Sequence, residues 1–122
     1  MRPRRMRIHH IALRTANLDA LERFYAGTLG IPITRRGPGS LWLEAGGTIL
    51  MLEERGASEP KVDAATKELI CFAIAPDEHK RFAATIEIEA RTDYTLYFRD
   101  PDGRRVGVSS YPEPLVASDS SP

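Results

Sequence analysis

One cysteine, Cys71, stands alone among 122 residues, which excludes any internal disulfide. A single thiol fits a reducing compartment, so a cytoplasmic protein is expected. Neither sign of charge is in excess, with 17 Lys+Arg against 17 Asp+Glu. That balance gives no electrostatic reason to expect nucleic acid or an anionic membrane as partner. Long apolar runs are missing too, so no transmembrane helix is expected. The basic start, Met1-Arg2-Pro3-Arg4-Arg5-Met6-Arg7, lacks the apolar stretch and cleavage site of a secretory signal. Residues 1–6 therefore read as a solvated basic leader. No Ser/His/Asp constellation, phosphate-binding glycine loop or CxxC pair occurs.

What is present is an ordinary globular composition, 42% hydrophobic and 28% charged, at a length that suits one domain. Within it a short pattern occurs twice. The first copy is His9-His10-Ile11-Ala12-Leu13-Arg14, then a segment with Glu22-Arg23-Phe24-Tyr25-Ala26, then strand-like runs. The second is Glu68-Leu69-Ile70-Cys71-Phe72-Ala73-Ile74, then Lys80-Arg81-Phe82-Ala83-Ala84, then strands around Asp100-Pro101-Asp102-Gly103. A repeated strand-helix-strands unit suggests two half-cups facing each other.

Periodicity assigns the elements. Residues 7–14 alternate, with Ile11 and Leu13 on one face and His10, Ala12 and Arg14 on the other. Asn17 suits an N-cap, and Leu18, Leu21, Phe24, Tyr25 and Leu29 recur at helical spacing before a stop at Gly30. The Gly37-Pro38-Gly39 cluster makes 35–40 a loop. Residues 41–44 and 48–53 read as strands joined by the hairpin signal Ala45-Gly46-Gly47. Polar residues 55–66 form a linker. In the second copy Ile70, Phe72 and Ile74 suit the helix-facing side, and Leu69, Cys71 and Ala73 the other. Pro76 suits a first helical turn, Asp77 and Glu78 its dipole, and His79, Phe82, Ala83 and Ile86 an inner stripe, with His79 at the helix rim. From Ile88 the chain returns to strand, and 95–99 pairs with 104–109 across the Asp100-Pro101-Asp102-Gly103 turn. The tail, 112–122, is Pro-, Ser- and Asp-rich and is expected to be disordered.

Four stretches together resemble the vicinal oxygen chelate superfamily, the glyoxalase, bleomycin-resistance and extradiol-dioxygenase fold. They are His10-Ile11-Ala12-Leu13-Arg14 leading to Asn17-Leu18, then Phe24-Tyr25 with Leu29-Gly30, then 69–75, and Tyr97-Phe98-Arg99-Asp100-Pro101-Asp102-Gly103. The resemblance implies an α+β fold: two βαβββ modules, 7–54 and 67–111, forming a curved mixed sheet around a cup with helices outside. It also implies a homodimer. In catalytic relatives a divalent metal sits in the cup. The matching ligand positions here are His10, Met51, Leu69 and Gly107. A thioether, an alkyl chain and a glycine do not replace carboxylate or imidazole, and about three protein ligands are needed. No cofactor is therefore expected. A rearranged divalent-metal site would need His10 with Glu44 or Glu53, or a one-residue slip that turns Glu68 inward.

By alternation the cup is lined in the first module by His10, Arg14, Trp42, Glu44 and Met51, beside Ala12 and Ile49. The second contributes Leu69, Cys71, Tyr97 and Arg99, beside Gly107 and Ser109. An apolar centre with a few polar groups is what small-molecule pockets tend to have. Trp42 and Tyr97 suit stacking on a planar ligand, Met51 an irregular shape, and Arg14 or Arg99 an anionic group. Cys71 reads as a small buried hydrophobe rather than a nucleophile. The favoured reading is a glyoxalase/bleomycin-resistance-like protein that binds a small organic molecule without a catalytic metal. The alternatives are a divergent metal-dependent lyase, thiol transferase or dioxygenase using His10, and a non-catalytic interaction module whose cup is self-filled.

Overall fold

A computed structural model of the chain describes residues 5–116. Most of the basic leader, 1–4, and the end of the tail, 117–122, lie outside the described residues. The chain divides into two compact units, the division falling between Lys61 and Val62, inside the expected linker. Each unit is a βαβββ module with a four-stranded mixed sheet, giving the expected α+β fold.

The first module runs β1 (His10–Thr15), α1 (Leu18–Glu22) continuing as a wider π-helical stretch (Arg23–Thr28), β2 (Ile33–Gly37), β3 (Ser40–Ala45) and β4 (Thr48–Glu54). Its sheet order is β1-β4-β3-β2, with β1 parallel to β4. Asn17 caps the helix, its side-chain oxygen accepting from the Ala20 N–H. Gly30, at φ 78°, ends it, and the Ile31 N–H bonds back to the Tyr25 carbonyl. That left-handed turn costs glycine no Cβ strain. Leu13, Leu41, Leu43, Leu50 and Leu52 form the buried face of the sheet, and Leu21, Tyr25 and Leu29 are the buried helical side chains.

One expectation fails here. Arg35 to Gly37 belong to a strand, not a loop. Pro38 and Gly39 alone make the turn, with Gly39 at φ 67° and Gly37 opposite Ser40. The strand was hidden because β2 is an edge: its residues from Thr34 onward are exposed, so no apolar alternation marks it.

The second module runs β5 (Leu69–Ala73), α2 (His79–Thr85), β6 (Ala90–Arg91), β7 (Thr95–Arg99) and β8 (Arg105–Ser109), in the order β5-β8-β7-β6. Leu96, Phe98, Val106, Val108, Phe82 and Leu115 are its buried apolar side chains. Pro76 to Glu78 form a lead-in turn rather than the first helical turn, and Ala83 is exposed. His79 is not at the rim. It is 2% exposed, with Nδ1 2.9 Å from the Pro76 carbonyl. A carbonyl only accepts, so Nδ1 carries the proton and the buried ring is satisfied. The segment after Tyr111, expected to be disordered, is ordered as far as Val116. Leu115 is 7% exposed and donates its N–H to the Asp93 carbonyl, and Val116 donates to that of Pro76.

Candidate functional site

The closed face of the first sheet is buried leucine, that of the second buried leucine, valine and phenylalanine, and the other parity of each is the open face. The strand register sets the open face of the first module in rows. His10, Ile49 and Glu44 lie side by side across β1, β4 and β3. The next row is Ala12, Met51, Trp42 and, on β2, Arg35. The third is Arg14, Glu53 and Ser40. The middle row is apolar over three strands, with Met51 and Trp42 half-buried and Ala12 exposed.

Charge along the edges of this face is largely self-paired. The Arg14 guanidinium donates to both carboxylate oxygens of Glu59 and, at 3.0 Å, to Glu53. Its fork, expected to be offered to a ligand anion, is occupied by the protein's own carboxylates. The Arg14 guanidinium, and then the Gly56 N–H, hold the Glu59 carboxyl at about 2, well below its ordinary 4.5. Glu44 accepts from the Gly47 N–H at the β3–β4 turn. At the start of β1, His10 Nδ1 lies 3.0 Å from His9 Nδ1, so one ring donates and the other accepts.

The second module's open face is built on the same register. Leu69 pairs with Arg105, Cys71 with Gly107 and Gly107 with Tyr97. Leu69 is 39% exposed, and Cys71 is exposed rather than buried as expected. What burial Cys71 has pushes its thiol up from the ordinary value, away from reactive thiolate. Arg99 and Arg105 share the carboxylate of Glu89, through Nε contacts of 2.7 and 3.2 Å, and Arg105 also lies 4.2 Å over the Tyr97 ring. Arg99, like Arg14, is thus already engaged. Glu59 and Glu89 escaped the sequence reading because nothing local marks a partner 10 to 45 residues away.

The residues at the four ligand positions do not fit a divalent ion. One imidazole, one thioether, one alkyl chain and a glycine supply a single good donor. Glu44 and Glu53 are bound to the Gly47 N–H and to Arg14. Among the described residues no three His, Cys, Asp or Glu side chains are grouped to hold a metal. No helix among them is long and apolar enough to cross a membrane.

The family model described as Glyoxalase/Bleomycin resistance protein/Dioxygenase superfamily matches residues 7–108. No curated protein matches the chain. Among solved structures, a lactoylglutathione lyase from Agrobacterium tumefaciens is 26% identical, over 84% of this chain and 92% of that one, at a TM-score of 0.64. A glyoxalase/dioxygenase from Nostoc punctiforme is 25% identical, over 88% and 92%, at 0.73. A mutant of the fosfomycin resistance protein FosX from Listeria monocytogenes, complexed with Mn(II) and a phosphonic acid, is 17% identical over 84% and 86% at 0.64, which speaks to fold alone.

Proposed function

This chain belongs to the Glyoxalase/Bleomycin resistance protein/Dioxygenase superfamily, and on that premise we propose that it binds a small, partly aromatic molecule without a catalytic metal. The bound molecule lies on the open face of the first module. The observation that carries this reading is the apolar row Ala12–Met51–Trp42, side by side across three strands and accessible to solvent. An indole and a thioether are good surfaces for a planar ligand, and poor ones for a hard or borderline cation. His10 and Glu44 in the neighbouring row supply the few polar groups that orient a ligand in such sites. The same reading takes the protein as a cytoplasmic homodimer. Its support is the 39% exposed Leu69, an apolar group that a second copy would cover, and the single free thiol.

Thermal melting tests it. Chelator-treated protein is heated with manganese, iron(II), nickel or zinc, and separately with a panel of planar aromatic compounds. We expect stabilisation by planar compounds, weakened by Trp42→Ala, and no metal-specific shift. A metal-specific rise in Tm that His10→Ala abolishes would overturn the reading in favour of a metal-dependent enzyme. Sedimentation of a monomer at high micromolar concentration would remove the dimer.

A further inference from the structure

Arg35 is the one arginine of the two open faces that has no carboxylate within ion-pair distance among the described residues. Arg14 is paired with Glu53 and Glu59, and Arg99 and Arg105 with Glu89. Arg35 lies opposite Trp42 in the register, with its guanidinium carbon 5.1 Å from the centre of the ring. A guanidinium over an indole is attracted to the ring, and with no carboxylate beside it among the described residues its N–H donors remain for an acid. From this cation the row continues through Trp42 and Met51 to Ala12. Adjacent strands are about 4.8 Å apart, so four strands put about 14 Å between the outer positions. That length takes one acidic group and one or two fused rings. Glu44, two residues along β3 from Trp42 and on the same face, opposes a second negative charge.

We propose that the ligand of this face is a flat aromatic monoanion, its acid group on Arg35 and its ring on Trp42 and Met51. This rests on the planar-ligand reading above and adds the ligand's charge and orientation. Arg35 acts through its free donors rather than through packing, because it is exposed at the sheet edge.

Trp42 is the only tryptophan, so a nitrogen–proton correlation spectrum of the labelled protein has one indole Nε1–H peak. Three probes of equal shape are titrated: 2-naphthoate, neutral 2-naphthalenemethanol and cationic 2-naphthylmethylammonium. The expected result is a saturable shift with naphthoate, at an affinity about tenfold above the other two, as one charge-assisted contact provides. Arg35→Gln should bring naphthoate down to the level of the alcohol without lowering Tm, and Arg35→Lys should recover part of the difference. If naphthoate binds no better than the alcohol, or is unaffected by Arg35→Gln, the monoanion is wrong while planar binding stands. Preference for the ammonium would do the same. If none of the three probes moves the Trp42 peak, both the monoanion and the planar-ligand reading of this face fall.

Discussion

The two modules have the same strand register but have kept different things. On their closed faces they are near copies: Leu41, Leu43, Leu50 and Leu52 in the first, Leu96, Phe98, Val106 and Val108 in the second, all at most 2% exposed. On their open faces the matching places hold unlike residues. His10 corresponds to Leu69, Ala12 to Cys71, Met51 to Gly107 and Glu53 to Ser109; only Trp42 and Tyr97 are both aromatic. Burial constrains one face of each sheet, because volume changes there create cavities or clashes. The other face is under no such packing constraint. The difference teaches which residues of each strand the packing requires and which it leaves open.

The sharpest way to break that comparison is to cut neighbours on one strand. Phe98→Ala should cost about 3–5 kcal/mol and Leu52→Ala about 2–5 kcal/mol. Tyr97→Ala and Met51→Ala, one residue away on the open faces, should cost about 1 kcal/mol or less. Denaturant unfolding with fitted m-values measures all four. If Met51→Ala matched Leu52→Ala, the open face would be core, and the self-filled alternative would gain.

A smaller contrast lies in the turns. Both modules brace the hairpin before their last strand with a carboxylate. Asp100, 4% exposed, accepts from the Asp102 and Arg104 N–H groups and from the Arg104 guanidinium. Glu44 accepts from the Gly47 N–H in a less buried setting. Asp100→Asn should therefore cost about 2–3 kcal/mol, since a charged acceptor is lost in a buried place. Glu44→Gln should stay within about 0.5 kcal/mol. Equal costs would show that burial does not separate the two turns.

The third contrast concerns the place of Met51 and Gly107. A Cβ at Gly107 would lie 3.2 Å from both the Cys71 sulfur and the Leu96 carbonyl oxygen. Gly107→Ala should cost about 1 kcal/mol, because the backbone oxygen yields little. The same crowding opposes a larger ligating side chain there. A gain in stability, read by the same unfolding curves, would show that β5 and β8 have room to separate.

Much of this was legible in the sequence, and the reason differs by element. Asn17, Gly30 and the Asp100-Pro101-Asp102-Gly103 turn act through local backbone chemistry, so they could be read directly. The closed faces followed from alternation. Edge strand β2 did not, because solvent on both sides leaves no pattern and Gly37-Pro38-Gly39 dominated the reading. His79 looked like a rim residue because its polar ring is satisfied by a carbonyl three residues back. Cys71 shared its parity with residues of either burial, so only the sheet could place it. On the open faces the strand parity was legible and the ion pairing was not. Arg14 looked free until the linker's Glu59, 45 residues away, was seen to fill its fork.

That linker contact gives the smallest effect and the finest test of the comparison. Glu59 is held at about 2 against an ordinary 4.5, by Arg14 first and the Gly56 N–H second. A depressed native value means the native state takes up the proton less readily than the unfolded chain. The pairing therefore adds its full stability above pH 4.5 and loses it as pH falls towards 2. Glu89 in the second module is lowered in the same direction, chiefly by Arg99. Its contacts join β6's lead-in to β7 and β8, whereas those of Glu59 tie the inter-module segment to β1. On acidification the Gly56 amide should shift with a midpoint near pH 2, and Glu59→Gln should remove that transition. Added salt should raise the midpoint towards 4.5, because exposed ion pairs are screened. A wild-type midpoint already at 4.5 in low salt would mean that Arg14 is not held by Glu59 in solution. Its pairing with Glu53 would then be left to carry the contact at this edge of the sheet.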